Sequence, residues 1–253
     1  MNFKYLIFSM MVLTLSCTKN EDPIVELPTE YEGQKVAIGD GFAWSYVKTD
    51  ANQTPTSIGI RFDGAVMDDL PTEGLLPTEF TLALPSEISV APYDHITMDW
   101  NAHGHPPMMV YDLPHFDFHF YFMNEAERDQ ITPFDSVEFN KPLAPENLAP
   151  LYAETPGGVP RMGAHIIDVT SPEIAGTGKF THTFLYGKYN GELNFLEPMV
   201  TKEFLDSKEH VEKEIRQPEK WMEEGFYPNA YRIHYDSNED LHSLTLMNLQ
   251  KFD

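Results

Sequence analysis

Residues 115–122 read HFDFHFYF, and the alternation within them decides the fold. Strand side chains point to opposite faces in turn, so His115, Asp117 and His119 share one face. Phe116, Phe118 and Phe120 share the other. The phenylalanine face reads as core, and the polar face looks at something wet or charged.

The neighbouring segments repeat the signal. FAWSYVKT (42–49), SIGIRF (57–62), EFTLALP (79–85) and HITMDW (95–100) are short, β-branched or aromatic, and bounded by Gly, Pro, Asp and Asn. Twenty prolines and fifteen glycines suit a loop-rich β architecture and argue against long helices. Asn190-Gly191 marks a hairpin. A two-residue loop there would pair Tyr186 with Phe195 and Phe184 with Glu197, setting His182 on the face of Glu197. YRIHYD (231–236) and LHSLTLMNL (241–249) form a second hairpin across SNED. Asn124 and Glu127 have the spacing of a capping box and open a short helix. Residues 199–215, MVTKEFLDSKEHVEKEI, form the best helical stretch, ended by Pro218. The expected fold is mainly β: a single β-barrel or β-sandwich domain over 33–253, cupin-like or related, with a few short peripheral helices.

The chain has 253 residues, 42% of them apolar and 13% aromatic, enough for a substantial core. Its formal charge of −23 repels phosphate backbones and makes nucleic acid an unsuitable partner. Tyr5–Leu15 is an apolar run behind Lys4, of signal-peptide length. A spanning helix needs about 20 such residues. The run ends at LTLSC, and Cys17 is the chain's one cysteine, so no internal disulfide forms. The pattern resembles a lipobox. Residues 1–16 then read as a lipoprotein signal peptide and 17–32 as a lipidated cysteine with a polar, Pro-containing tether. The partner implied is a membrane, reached through the lipid on Cys17. The acidic residues behind Lys19 resemble a surface-export signal of outer-membrane lipoproteins of the bacterial cell envelope.

Histidines carry the chemistry. His103 and His105 lie in NAHGHPP, His115 and His119 in the opening strand, and His165 in RMGAHIID. Neutral imidazoles from separate elements converge readily on one ion. Spacing limits how. Residues four apart on a straight strand stand about 13 Å apart, too far for His115 and His119 to share an ion, whereas i, i+2 neighbours stand about 7 Å apart. Asp117 with one flanking histidine is the natural pair. The other histidine supports the site or faces substrate, unless a bulge brings it in. His105, His115, Asp117, His119 and His165 are therefore the candidate metal residues. Glu197, His182 and His103 are candidates for supporting or acid–base roles. His95, His210, His234 and His242 read as structural. The cofactor is a divalent metal ion, with zinc, iron, manganese and copper equally suited to such donors.

Other chemistries fail. GTGKF (176–180) has Glu173 where a phosphate loop needs glycine, no HExxH pair occurs, and no serine sits in a nucleophile elbow.

GHPP (104–107), YDLPHFDFHFY (111–121), GGVPRMGAHIID (157–168) and FLYGKYNGELNFLEPMVTKEFL (184–205) resemble a bacterial family of unknown function that includes a sigma-E-regulated protein of Thermus. The resemblance covers roughly residues 80–205. It implies a compact β-rich fold, a homo-oligomer, and one shared site formed by His105, His115, Asp117, His119, His165 and the segment Glu197–Met199. It places His103 at a variable position. Ile166 departs from the tryptophan that many relatives carry after the histidine matching His165. The expectation is a metal-dependent enzyme acting on a small molecule by hydrolysis or oxygen chemistry, its site lined by Tyr111, Tyr121, Tyr186 and Met162. The alternatives are a non-catalytic metal- or ligand-binding surface lipoprotein and a structural envelope protein.

Overall fold

The computed structural model describes residues 28–252 except residue 75. The signal peptide and Cys17 lie outside the described residues. The first strands are β1 (Glu30–Glu32), β2 (Val36–Ile38), β3 (Gly41–Thr49), β4 (Pro55–Asp63) and β5 (Thr78–Ala83). They are followed by β6 (His95–Asn101), β7 (His115–Tyr121), β8 (Tyr152–Glu154), β9 (Ala164–Asp168), β10 (His182–Tyr189) and β11 (Glu192–Thr201). The chain closes with β12 (Val211–Glu214), β13 (Gly225–Tyr227), β14 (Ala230–Asp236), β15 (Leu241–Met247) and β16 (Gln250–Phe252). Among the described residues four short α-helices occur: α1 (Glu125–Arg128), α2 (Ser136–Asn140), α3 (Pro172–Ala175) and α4 (Lys202–Asp206).

Two antiparallel sheets carry the fold. The first runs β1-β3-β4-β15-β14-β12, with β2 also on β3; the second runs β5-β6-β7-β11-β10-β9-β8. Both remain open at their edges, so the architecture is a sandwich and not a closed barrel. The barrel and cupin-like alternatives give way for that reason. The first strand starts at Glu30, inside the segment read as tether, because Glu30 pairs with Lys48 and Glu32 with Tyr46.

The phenylalanine face does meet the other sheet. Phe62 of β4 packs on Phe116 and Phe118 of β7 at 6.5 and 6.1 Å, and Tyr231 of β14 stacks on Phe184 of β10 at 5.5 Å. The polar face is not wet. Every residue of β6 and β7 is buried on both sides. Loops and α1 cover the outer face of the second sheet, which makes a polar layer beneath them.

Three local readings meet different fates. The capping box is present: the Asn124 side chain accepts from the Glu127 amide, and Glu127 accepts from the Asn124 amide. The long helix over 199–215 is not. β11 pairs as far as Thr201, only Lys202–Asp206 turn helical, and Val211–Glu214 return as an edge strand. Sheet pairing overrides the helix propensity of a Lys/Glu-rich run, and charge suits an open edge. The Asn190-Gly191 hairpin forms, but a bulge at Gly187/Lys188 shifts its register by one. Gly187 now faces Phe195, Leu185 faces Glu197, and His182 faces Val200. A one-residue slip exchanges the faces, so His182 turns to the core, where its Nδ1 lies 2.8 Å from the Tyr231 hydroxyl.

His242 is structural as expected, stacked between Phe62 at 5.1 Å and Tyr235 at 4.7 Å. Burial pulls both His242 and His182 down to about 4. The unfolded chain, with histidine near 6.5, takes protons first as pH falls. Their contribution to stability is therefore present above about pH 6.5 and lost between about 6.5 and 4. Thermal melts of His242→Phe should show a smaller loss of Tm across this window than the parent; an unchanged pH profile would refute it.

Candidate metal centres

The outer face of the second sheet gathers titratable side chains in rows. β6 and β7 pair Thr97 with His119, Asp99 with Asp117 and Asn101 with His115. On the other side, β11 pairs Met199 with Asp117 and Phe195 with Tyr121, which sets Glu197 across from His119. Gly187 pairs with both Phe195 and His165, so His165 of β9 joins the same face. His105 reaches it from the loop between β6 and β7, held by its amide on the Tyr111 carbonyl.

These residues form two triads: His105, His115 and Asp117, and His119, His165 and Glu197. Within each, one donor atom per residue lies within 4.8 Å of the others. In the first, Asp117 Oδ1 is 3.0 Å from His115 Nε2 and Oδ2 is 3.4 Å from His105 Nε2. In the second, Glu197 Oε1 is 3.4 Å from His119 Nε2 and Oε2 is 3.3 Å from His165 Nε2. Despite these distances, His115 Nε2, Asp117 Oδ1, His119 Nε2 and Glu197 Oε2 are buried with no aligned hydrogen-bond partner. Close approach without alignment is how lone pairs look when aimed at a common point. Two donors bonded to one ion at about 2.0–2.2 Å stand roughly 2.9–3.5 Å apart.

The outer nitrogens of His105, His115 and His119 have partners. His105 Nδ1 donates to the Pro106 carbonyl at 2.8 Å and His115 Nδ1 to that of Leu113 at 2.6 Å. This tautomer leaves Nε2 free to ligate. His119 Nδ1 lies 3.4 Å from the Thr97 hydroxyl, and 3.2 Å from Asp99 Oδ2 without hydrogen-bond alignment. Asn101 donates to Asp117 Oδ2 at 2.8 Å.

Charge is concentrated here. Asp99, Asp117 and Glu197 are all buried, and Asp99 and Asp117 lie directly opposite each other. Burial would push the His105 imidazole down, but Asp117 outweighs it and lifts it to about 9. Burial also opposes charge on His119, and Glu197 and Asp99 more than reverse this, raising it well above the usual histidine range. Burial resists ionisation of Asp117, yet His115 and His105 hold it well below the usual carboxylate range. His165 is lowered, by burial first. Buried carboxylates of this kind need cationic charge, from protons or from a metal.

His115 and His119 fall in different triads, as the strand spacing leads one to expect. The six side chains stand as two groups rather than one, because Glu197 lies opposite His119 on the neighbouring strand. Glu197 thus moves from a supporting role into a triad. His103 stays away, its Nε2 3.0 Å from the Thr72 carbonyl. His182 lies on the opposite face, as does Tyr186, whose hydroxyl donates to the Arg216 carbonyl at 2.7 Å. Tyr111, Tyr121 and Met162 do adjoin the triads. Tyr111 packs on His105 at 5.7 Å and Tyr121 stacks on His119 at 5.4 Å.

Asp99 went unread in the sequence, although it alternates with Thr97 and Asn101 on the polar face of β6. His95, read as structural, belongs to a network beside the second triad. Its Nε2 accepts from Arg128 at 3.0 Å and its ring stacks on Tyr121 at 4.9 Å.

No curated protein matches the chain, and no solved structure does. A family model matches residues 50–100, a window that contains Asp99 but none of the six triad residues. It overlaps the span of motif resemblance only over 80–100. Across that window the chain is similar to the TTHB210-like family, whose model is described as a hypothetical protein, in keeping with the family of unknown function that the motifs resemble.

Proposed function

We propose that this chain is a cell-envelope lipoprotein, anchored through Cys17, whose second sheet binds two metal ions. One ion is held by His105, His115 and Asp117 and the other by His119, His165 and Glu197. The observation that carries the reading is the set of four buried donor atoms, two in each triad, that approach their neighbours without hydrogen-bond alignment. Two histidines and one carboxylate leave further coordination positions open, the arrangement used for hydrolysis and for oxygen chemistry. His105 and His165 are the partly exposed members, 32% and 21%, so a small molecule approaches from their side. The reading is a metal-dependent enzyme acting on a small molecule.

A non-catalytic metal-binding lipoprotein is the second reading. It is favoured by the burial of four of the six triad residues, His115, Asp117, His119 and Glu197.

Metal content of the purified full chain separates the metal readings from a purely structural role. About two ions per chain are expected after loading. His119→Ala should lose about one, while His103→Ala loses none. Equal loss in both variants would mean that the centres are misplaced. Less than about a tenth of an ion per wild-type chain would end both metal readings.

A further inference from the structure

The layers around the two triads resemble each other. Tyr111, Phe180 and Met199 form one side-chain cluster, with Leu185. Tyr111 packs on His105 at 5.7 Å and Phe180 on His115 at 5.2 Å. Tyr121, Phe195 and Met162 form another. Phe195 packs on His119 at 5.0 Å and on His165 at 5.6 Å, and Tyr121 stacks on His119. Each triad therefore adjoins an apolar cluster with one buried tyrosine, one buried phenylalanine and one buried methionine; Leu185 completes the first, and the partly buried Met123 packs on the second.

Met199 is the better placed thioether. It lies directly opposite Asp117 on the neighbouring strand, so its side chain shares the face of the triad. It is fully buried and lies outside the main core between the sheets, which would be the ordinary place for a buried methionine on β11. Two further methionines lie on the loop that carries His105. Met108 and Met109 follow His105 on its loop and are 67% and 90% exposed.

We propose that the two centres are copper sites, with the Met199 thioether ligating at the His105 centre and the Met162 thioether at the His119 centre. Met108 and Met109 make a soft first contact for the incoming ion. This rests on the two-centre reading and adds the identity of the metal. Imidazole suits copper, zinc and iron alike, whereas thioether selects Cu(I). A hard cation such as Mg²⁺ or Ca²⁺ would leave sulfur without a role.

The test compares Cu(I) and Zn(II) on the full chain, by anaerobic competition with bicinchoninate for copper and with a zinc chelator in parallel. Met199→Leu and Met162→Leu keep the volume, and thermal melts check that each variant folds. Each should weaken Cu(I) binding by about tenfold or more at its own centre and leave Zn(II) within about threefold, as loss of a soft ligand predicts. Unchanged Cu(I) affinity in both variants, or equal weakening of both metals, would overturn the proposal. A copper absorption-edge spectrum of the otherwise wild-type Cys17→Ser chain gives a second reading that does not depend on the variants' folding. A sulfur neighbour supports the assignment, and a shell of nitrogen and oxygen alone overturns it. If the wild-type chain binds Zn(II) but not Cu(I), the two-centre reading stands and this proposal falls. If it binds neither, both fall.

Discussion

Replacing Arg128 by alanine is expected to destabilise the protein by about 3–5 kcal/mol, the cost of leaving a buried charge network without its partner. Arg128 is completely buried. Its guanidinium donates to His95 Nε2 and pairs with Glu79, and it lies 4.6 Å over the Tyr121 ring. His95 in turn holds Asp94 through Nδ1 at 2.9 Å, so one tautomer serves both contacts. Arg161 takes the second oxygen of Glu79 at 3.0 Å and reaches Asp129 at 2.7 Å. The network clamps the end of α1 onto the outer face of the sheet. Cutting it exposes Tyr121, and with it one side of His119. Lysine should not rescue, because only the planar fork meets the carboxylate and the imidazole together. Denaturant melts would decide the matter; a loss under about 1 kcal/mol, the usual size for a surface ion pair, would mean that the clamp carries little.

The second large effect is expected at Gly187. A Cβ placed there would stand 2.1–2.2 Å from three atoms of the Phe195 ring. That ring cannot step aside easily, since it is packed among His119, His165 and Tyr121. Gly187→Val should therefore cost about 3 kcal/mol or more, at the upper end of overpacking. Metal content should report it as well, because Phe195 touches both histidines of the second triad. A valine variant with parental stability and metal content would show that the ring has room to move.

The same glycine explains why part of the site was hidden in the sequence. Period two in 115–122 was enough to separate the core face from the polar face, and Asn190-Gly191 was enough to place a hairpin. The local sign of the skip was Gly187 itself, since an isolated glycine within a strand pattern marks a bulge or a close backbone approach. The skip falls where Gly187 lies against the Phe195 ring of the partner strand. Reading the hairpin without it put Glu197 on the face of His182. Only the motif resemblance set Glu197 with the histidines of the opening strand, and the division of these residues into two triads went unread. Asp99 was hidden differently. Its strand was recognised, but its alternation was overshadowed by the denser histidines of the next strand. The helix expected over 199–215 failed because β11 and β12 find partners far away in the chain, and pairing of that kind leaves no periodic trace in a Lys/Glu-rich run.

Anomalous difference maps from a metal-loaded crystal, recorded at the absorption edge of the bound metal, test the two-centre arrangement most directly. Two peaks are predicted, one among His105, His115 and Asp117 and one among His119, His165 and Glu197, each about 2.0–2.2 Å from its nitrogen and oxygen donors. A map with no peak on this face, with the six side chains joined only by hydrogen bonds, would contradict it.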